Sequence, residues 1–464
     1  MRIAVIGAGL SGLSAALMLR EACHNVTIFT HGIGGLPLSN GTLDVLGYRA
    51  LSGNNAKDLA SGDPFASFTE LPNTHPYQVI GADNAREGVN WLAEKTGLFE
   101  IHGENRLLPS PLGVARPTLG VPKNAAAGIL TEGGKYLVVG LRQFKDFPAP
   151  LIAANLNRSD VVKVEARAVV LDLPGRAREA DTLATDYARH FDGLTSATAG
   201  GSAGAAKATG ATAGATLRKQ FAELINRAVK PGEVVLIPAI MGLQAETFLD
   251  FATRVQAPIA EVPTIPASIF GQRTYNALIE ACREARIDIR LNCSVRPYRR
   301  GRAKVKNIYQ NGPSPMVNDE VRELVVARAG GTDRVKVDAV IDAAGGFASG
   351  NLARDSHLAF HETIFDLPLR PGTAFTSRGS TAALHEIDFE QRTELERTLS
   401  TGIAVDSAMR PLDAAGNPVF TNVFCLGEML GGAHPWLELS GEGIALGSAV
   451  AAVKAIAALK GEKI

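Results

Sequence analysis

The chain opens MRIAVIGAGLSGLSAALMLR, residues 1–20, and this stretch decides the fold. RIAVI (2–6) reads as a buried parallel strand, followed by a turn carrying Gly7, Gly9 and Gly12 and then by helical alternation to about Glu21. Glycine in such a turn removes side chains that would hold a phosphate away from the backbone. The helix behind it offers free N–H groups and the positive end of its dipole. Gly7, Gly9, Leu10, Ser11 and Gly12 are therefore candidate cofactor-binding residues, and the motif gains weight because it follows a strand and opens a helix. A plain strand–helix turn is the other reading.

Moving outward, VTIF (26–29) reads as a second parallel strand, joined to the first by that helix. In dinucleotide folds an acidic residue closing this strand accepts hydrogen bonds from the adenosine ribose. Here the strand runs into Thr30, His31 and Gly32. Threonine can still hydrogen-bond a hydroxyl, but the missing carboxylate weakens the case for NAD and for the adenylate half of FAD. A flavin mononucleotide, with a single phosphate on the same helix end, stays open. The following loop carries Ser39, Asn40 and Gly41, small residues that would let backbone approach a flavin ring or merely make a turn.

The far end of the chain sharpens the choice. DAVIDA (338–343) reads as a short strand ending at Gly345 and Gly346, and 422–426 as a last strand leading to Gly427 and Glu428. A closing helix runs from about Gly443 to Leu459, its start opened by Gly441 and Gly443. The dipole of such a helix can stabilise negative charge developing on the N1/O2 edge of a reduced isoalloxazine. A packing helix that needs close approach is the other possibility. Nicotinamide enzymes usually continue with further βα units, so the pattern favours flavin, either FAD or FMN.

Elsewhere, VVLIPAIMGL (234–243) reads as a strand entering a loop and 268–287 as an amphipathic helix. Residues 195–216, TSATAGGSAGAAKATGATAGAT, lack the apolar bulk to offset ordering entropy, and a flexible surface insertion is expected, with a long Ala-rich helix as the alternative.

Global properties exclude several classes. The 464 residues imply more than one domain. Lysine plus arginine (47) balances aspartate plus glutamate (47), with no long basic block, which disfavours nucleic acid as a partner. No run of about 18 uninterrupted apolar residues appears, and the first apolar stretch is broken by glycines, so a cytoplasmic chain is expected, with membrane contact only through a partner. The four cysteines, Cys23, Cys282, Cys293 and Cys425, lie far apart with no C-x-x-C pair, so no metal or iron–sulfur site is expected in this chain. Cys425, within the last apolar strand, reads as a packing thiol.

Seven strings occur in one order along the chain: SNGTLDVLG (39–47), THPY (74–77), SPLG (110–113), IPAIMGL (237–243), VPTIPASIFGQR (262–273), VDSAMRP (405–411) and NVFCLGEMLGG (422–432). In order and spacing they resemble the B subunit of anaerobic glycerol-3-phosphate dehydrogenase over nearly all of the chain except the Ala/Gly insertion. The resemblance implies a flavoprotein that pairs with an FAD-containing A subunit and an iron–sulfur C subunit meeting the membrane. Its substrate would be glycerol 3-phosphate, a dianion calling for a guanidinium. Arg273 and Arg410 lie in the matching strings and are candidates, each with a structural alternative. Oxidising the secondary alcohol needs a base, for which His75 and His434 are candidates beside the reading of satisfied loop histidines.

The expected fold is α/β: a Rossmann-like FAD/NAD(P)-binding flavoprotein fold with an inserted mixed α/β cap domain. The flavin domain is expected over 1–70, 265–350 and 400–464, and the cap over 71–264 and 351–399. The expected activity is oxidation of sn-glycerol 3-phosphate to dihydroxyacetone phosphate. A non-catalytic flavin subunit relaying electrons and a flavin oxidoreductase of the fumarate-reductase or ketosteroid-dehydrogenase kind are the alternatives.

Overall fold

The computed structural model describes residues 1–48, 62–173, 182–194, 203–297, 319–357, 359–372 and 389–459. They form two compact units, the first from Met1–Gly35, Asp44–Gly97 and Ala277–Ile464, the second from Leu36–Leu43 and Leu98–Asn276.

Unit 1 is organised by a five-stranded sheet of β1 (Arg2–Ile6), β2 (Asn25–Phe29), β9 (Asp288–Arg290), β13 (Ala339–Asp342) and β18 (Val423–Cys425), in the order β18-β13-β1-β2-β9. Every pairing is parallel. The central strands are runs of Val, Ile and Ala because both faces are covered, the condition under which parallel sheets occur. Register puts Ile6, Asp342 and Cys425 at one level, at the carboxyl ends of three adjacent strands.

Helix α1 (Leu10–Glu21) makes the crossover from β1 to β2 and is buried from Ser11 to Leu19. Against it packs α11 (Gly441–Leu459), which also packs on α3 (Ala82–Thr96). Close approach of α3 and α11 depends on glycine: a Cβ on Gly88 would lie 2.8 Å from the Leu446 carbonyl oxygen, and one on Gly447 2.7 Å from Ile80. By length and composition α11 could cross a membrane, but 72% of its apolar window is buried in the protein, as a core helix is.

The rest of unit 1 is small. A three-stranded antiparallel sheet joins β10 (Ser294–Pro297), β11 (Glu323–Arg328) and β12 (Gly331–Lys336). Two-stranded ladders join β14 (Leu352–Arg354) to β15 (Phe360–Glu362) and β16 (Leu369–Arg370) to β17 (Gly402–Ile403). Helices α2 (Tyr77–Ile80), α9 (Phe389–Ser400) and α10 (Pro435–Glu438) complete it.

Unit 2 combines an antiparallel hairpin, β3 (Phe99–Pro109) with β4 (Ala115–Pro122), and a second parallel sheet. That sheet holds β5 (Lys135–Leu141), β6 (Glu165–Leu171), β7 (Glu233–Pro238) and β8 (Ile259–Val262), ordered β6-β5-β7-β8. It carries α4 (Ala149–Asn157), α5 (Ala184–Phe191), α6 (Ala203–Ala228) and α7 (Ala245–Ala252). Tyr187, Phe191, Phe221 and Phe251 stack in sequence and lock α5, α6 and α7 together. Helix α8 (Ile269–Glu284) begins in unit 2, and its residues from Ala277 belong to unit 1.

Two expectations change. The insertion expected to be flexible over 195–216 is helical from Ala203, while 195–202 fall outside the described residues. Alanine favours helix, and the segment continues into LRKQFAELINRA, whose Phe221 and Ile225 are fully buried and anchor it. Gly214 packs with its Cβ position 2.7 Å from the Gly193 amide, so this glycine serves contact. The domain boundaries also differ. Residues 71–97, expected in the cap, belong to unit 1 through α3 on α11, as do the described parts of 351–399. Residues 36–43 belong to unit 2.

Candidate flavin site

The glycines of the opening turn are held by contact with β13. A Cβ on Gly7 would strike the Ala343 carbonyl, and Gly7 has φ +103°, a region L side chains rarely adopt. Its N–H donates to the Phe29 carbonyl at 2.8 Å. A Cβ on Gly12 would strike the Gly7 carbonyl, so these two glycines let strand, turn and helix close on one another.

Gly9 is different. It is the N-cap of α1, no side chain caps that helix, and a Cβ on Gly9 would meet nothing within 4 Å. Leu10, Ser11 and Gly12 follow as its first turn, and the first helical bond runs from Leu13 N–H to the Gly9 carbonyl. The amides ahead of it have no acceptor within the helix, and Gly34 packs beside them, a Cβ there lying 2.7 Å from Gly9 Cα; an uncapped helix start lined by glycine fits a phosphate-bearing cofactor.

The neighbouring strand ends converge on this turn. A Cβ on Gly427 would strike Oγ of Ser11, and the Gly427 N–H donates to Ser448 Oγ at 3.1 Å. Gly345 and Gly346 lie beside Glu428, whose Cγ is 3.0 Å from a Cβ built on Gly346. Thr30 is buried. Its hydroxyl donates to the Gly32 carbonyl at 2.6 Å, leaving its oxygen able only to accept. Ser39, Asn40 and Gly41 belong to unit 2, where Ser39 Oγ donates to Leu36 and accepts from the Gly41 N–H.

The start of α11 is partly occupied by its own unit. The Gly443 N–H donates to the Asp44 carbonyl at 2.9 Å, and a Cβ on Gly443 would strike Tyr77 Oη. The amides of Gly441 and Glu442 are those ahead of that contact in the first turn.

Beside this helix start lies a polar knot not legible in the sequence. Glu438, buried on α10, accepts from His75 Nε2 at 2.9 Å, from the His434 amide at 2.8 Å and from Ser440 Oγ at 3.1 Å. Burial alone would raise its pKa, but the hydrogen bond and charge of His75 and the His434 amide outweigh it and hold Glu438 below its ordinary value. Both His75 nitrogens are engaged, since Nδ1 accepts from the Tyr77 amide at 3.1 Å. The Tyr77 hydroxyl is buried, donates to the Val45 carbonyl at 2.6 Å, and is pushed well above its usual pKa by burial and then by Glu438. Leu439 closes the loop with φ +56°. His75 is thereby committed at both ring nitrogens, and His434 is brought to the same carboxylate through its backbone.

The two arginines separate. Arg273 is buried in unit 2, its Nη1 2.6 Å from Glu261 and its Nε and Nη2 on the Gly242 carbonyl at 3.0 and 2.6 Å. This is a structural ion pair tying β8 to the loop after β7. Arg410, in unit 1, is half-buried and oriented by Asp406 through Nε at 2.8 Å and Nη2 at 2.7 Å. Sequence reasoning also missed Asp342 and Glu362, two buried acids, the first at the strand end that leads into the Ala343–Gly346 turn and bonded to its Ala344 amide. An aspartate inside the apolar run VIDAAGG is the signal that could have flagged the first.

The FAD binding domain family matches residues 2–444. Across 98% of this chain and 97% of the relative, it is 26% identical to the B subunit of a probable anaerobic glycerol-3-phosphate dehydrogenase of Halobacterium salinarum. It is 25% identical, over 97% of this chain and 96% of the relative, to the B subunit of the anaerobic glycerol-3-phosphate dehydrogenase of Yersinia pestis. Among solved structures it is similar to 3-ketosteroid delta1-dehydrogenase from Sterolibacterium denitrificans, at 12% identity and TM-score 0.40 over 98% of this chain and 99% of that one.

Proposed function

The chain belongs to the FAD binding domain family, and from that premise we propose that this flavin oxidoreductase oxidises sn-glycerol 3-phosphate to dihydroxyacetone phosphate as one subunit of a larger anaerobic dehydrogenase. The observation that carries the reading is the end-to-end similarity to relatives named as the B subunit of that enzyme. The uncapped start of α1 supports its cofactor half.

When bound, the flavin supplies a ring that accepts hydride from the carbinol carbon. The amides of Gly9, Leu10, Ser11 and Gly12 would hold its phosphate. Gly345, Gly427 and Glu428 line the adjoining strand ends, and the Thr30 oxygen would accept from a cofactor hydroxyl. We assign phosphate binding on the substrate to Arg410, whose fork Asp406 orients, and removal of the hydroxyl proton to the His434 imidazole. His75 acts through Glu438, fixing the loop that presents His434.

All four cysteines are unpaired, and among the described residues no cluster of His, Cys, Asp or Glu could hold a metal. The family resemblance gives as electron-accepting partners an FAD-containing A subunit and an iron–sulfur C subunit. On this reading the chain sits on the cytoplasmic side and meets the membrane through those partners.

Anaerobic mixing of the flavin-loaded full chain with glycerol 3-phosphate tests the reading. Bleaching of the oxidised flavin band is expected. Reduction seen only after the partner subunits are added replaces it with an electron relay, which the internal engagement of His75 and Arg273 favours. Purified chain holding no flavin overturns it.

A further inference from the structure

Beneath the cradle lies a pair of acids that the reaction above does not use. Asp342 ends β13 and is fully buried, level with Ile6 on β1, one residue before Gly7, and with Cys425 on β18. Its Oδ1 accepts the Ala344 N–H at 3.2 Å, which ties the carboxyl to the Ala343–Gly346 turn. Among the described residues its Oδ2 is buried without a hydrogen-bond partner. Glu362, at the end of β15 and 2% exposed, is arranged as an anion: Oε1 accepts from Ile364 at 2.6 Å, and Oε2 from Phe365 at 2.7 Å and Leu367 at 3.3 Å.

A buried carboxylate oxygen with no donor is costly, whereas a protonated one is a neutral O–H. Three amide donors favour negative charge on Glu362, so geometry places the proton on Asp342. The Glu362 charge acts on Asp342, Asp366 acts on Glu362, and the Glu428 side chain lies against Gly345 and Gly346 of the turn. From β18 comes only the buried Cys425 thiol, itself pushed well above its usual range by burial and then by the two acids. Burial and then the Glu362 charge push Asp342 well above the carboxylate range, and burial pushes Glu362 up to about 7.

We propose that Asp342 and Glu362 hold one proton between them, and that this proton sets how tightly the cradle retains the anionic phosphate of its flavin. Loss of the proton to solvent leaves two carboxylates, one of them at the strand end before Ala343, the residue that packs on Gly7 and Gly12 of the cradle, and like charge repels the cofactor. By linkage, a bound anion raises the pair's proton affinity, so retention weakens as pH rises through the pair's titration. Asp342 is thus a positioning residue acting through Ala344. This inference rests on the flavin reading of the cradle.

The test uses the full chain, freed of flavin, with FAD as the probe, its fluorescence followed across roughly pH 6 to 9. Wild-type affinity is expected to fall with rising pH, at most about tenfold per pH unit, the limit for one proton. D342N keeps the oxygen facing Ala344 but cannot ionise, so its affinity should level off once Glu362 has titrated, near pH 7. E362Q leaves Asp342 ionisable without the neighbouring charge, so it should move the fall in affinity to lower pH, and it decides the matter if D342N does not fold. Infrared spectra of the flavin-free wild type at neutral pH should show the carbonyl band of an un-ionised carboxylic acid, reduced in D342N to the share that Glu362 contributes. A variant profile coinciding with wild type, or no such band, overturns the proposal. Failure to bind FAD at any pH overturns its cofactor half together with the flavin reading, while the infrared band still decides whether the proton is shared.

Discussion

Nε2 of His75 and Oε2 of Glu438 meet at 2.9 Å with both side chains 1% exposed, joining residues 363 positions apart. The pair fastens the loop before α11 to the start of α2, and its removal has two readable consequences.

H75A leaves Glu438 buried without its principal donor and should cost about 3–5 kcal/mol. Chemical denaturation checks this, and a loss below about 1 kcal/mol would show the pair to be dispensable. The pH dependence has a definite sign. Because the folded pKa of Glu438 lies below its unfolded value near 4.5, the stabilisation is complete above that pH. It disappears as pH falls through the lower folded value. H75A should flatten that acid limb.

Gly7 and Gly9 should respond oppositely. G7A forces a methyl against the Ala343 carbonyl in a left-handed backbone and should destabilise the fold by about 1–3 kcal/mol. G9A meets no protein atom, so its unfolding midpoint should stay put while flavin affinity drops about tenfold or more, the methyl occupying phosphate space. Equal effects of the two on stability would refute the division.

R273M strands Glu261, which also accepts from the Met241 amide and from Asn124, and should destabilise unit 2 by about 3–5 kcal/mol. Pairing it with E261M should recover part of the loss. Substrate KM in the folded fraction should not move. A raised KM with an unchanged unfolding curve would return Arg273 to the substrate.

In α6, G214A ought to gain about 1 kcal/mol on helix propensity alone. The Gly193 backbone 2.7 Å away reverses the sign, so a lower melting temperature is expected. A higher one would mean that the contact yields.

The strand–turn–helix at the start, the β13 and β18 strands and the closing helix were legible because local patterning encodes them. Gly7 and Gly9 look identical in sequence and serve different ends, since only the fold shows that one faces Ala343 and the other empty space. The engagement of His75 was hidden because Glu438 lies far down the chain. Placement of 71–97 was hidden for a similar reason, because Gly88 acquires meaning only against Leu446. Arg273 stood as a phosphate candidate beside a structural alternative, because arginine chemistry is the same whether its partner is a ligand or Glu261.

The parallel sheet of unit 1 draws neighbouring strands from residues 2–6, 339–342 and 423–425. Such pairing is intrinsically slow, because distant segments must meet before any contact rewards them. On the ribosome, β1 and the turn behind it emerge hundreds of residues ahead of their β13 and β18 neighbours. The nascent chain therefore carries an unpaired apolar edge through most of its synthesis, exposed to chaperones and to aggregation. Coenzyme loading becomes a late, post-translational event that seals the assembled sheet.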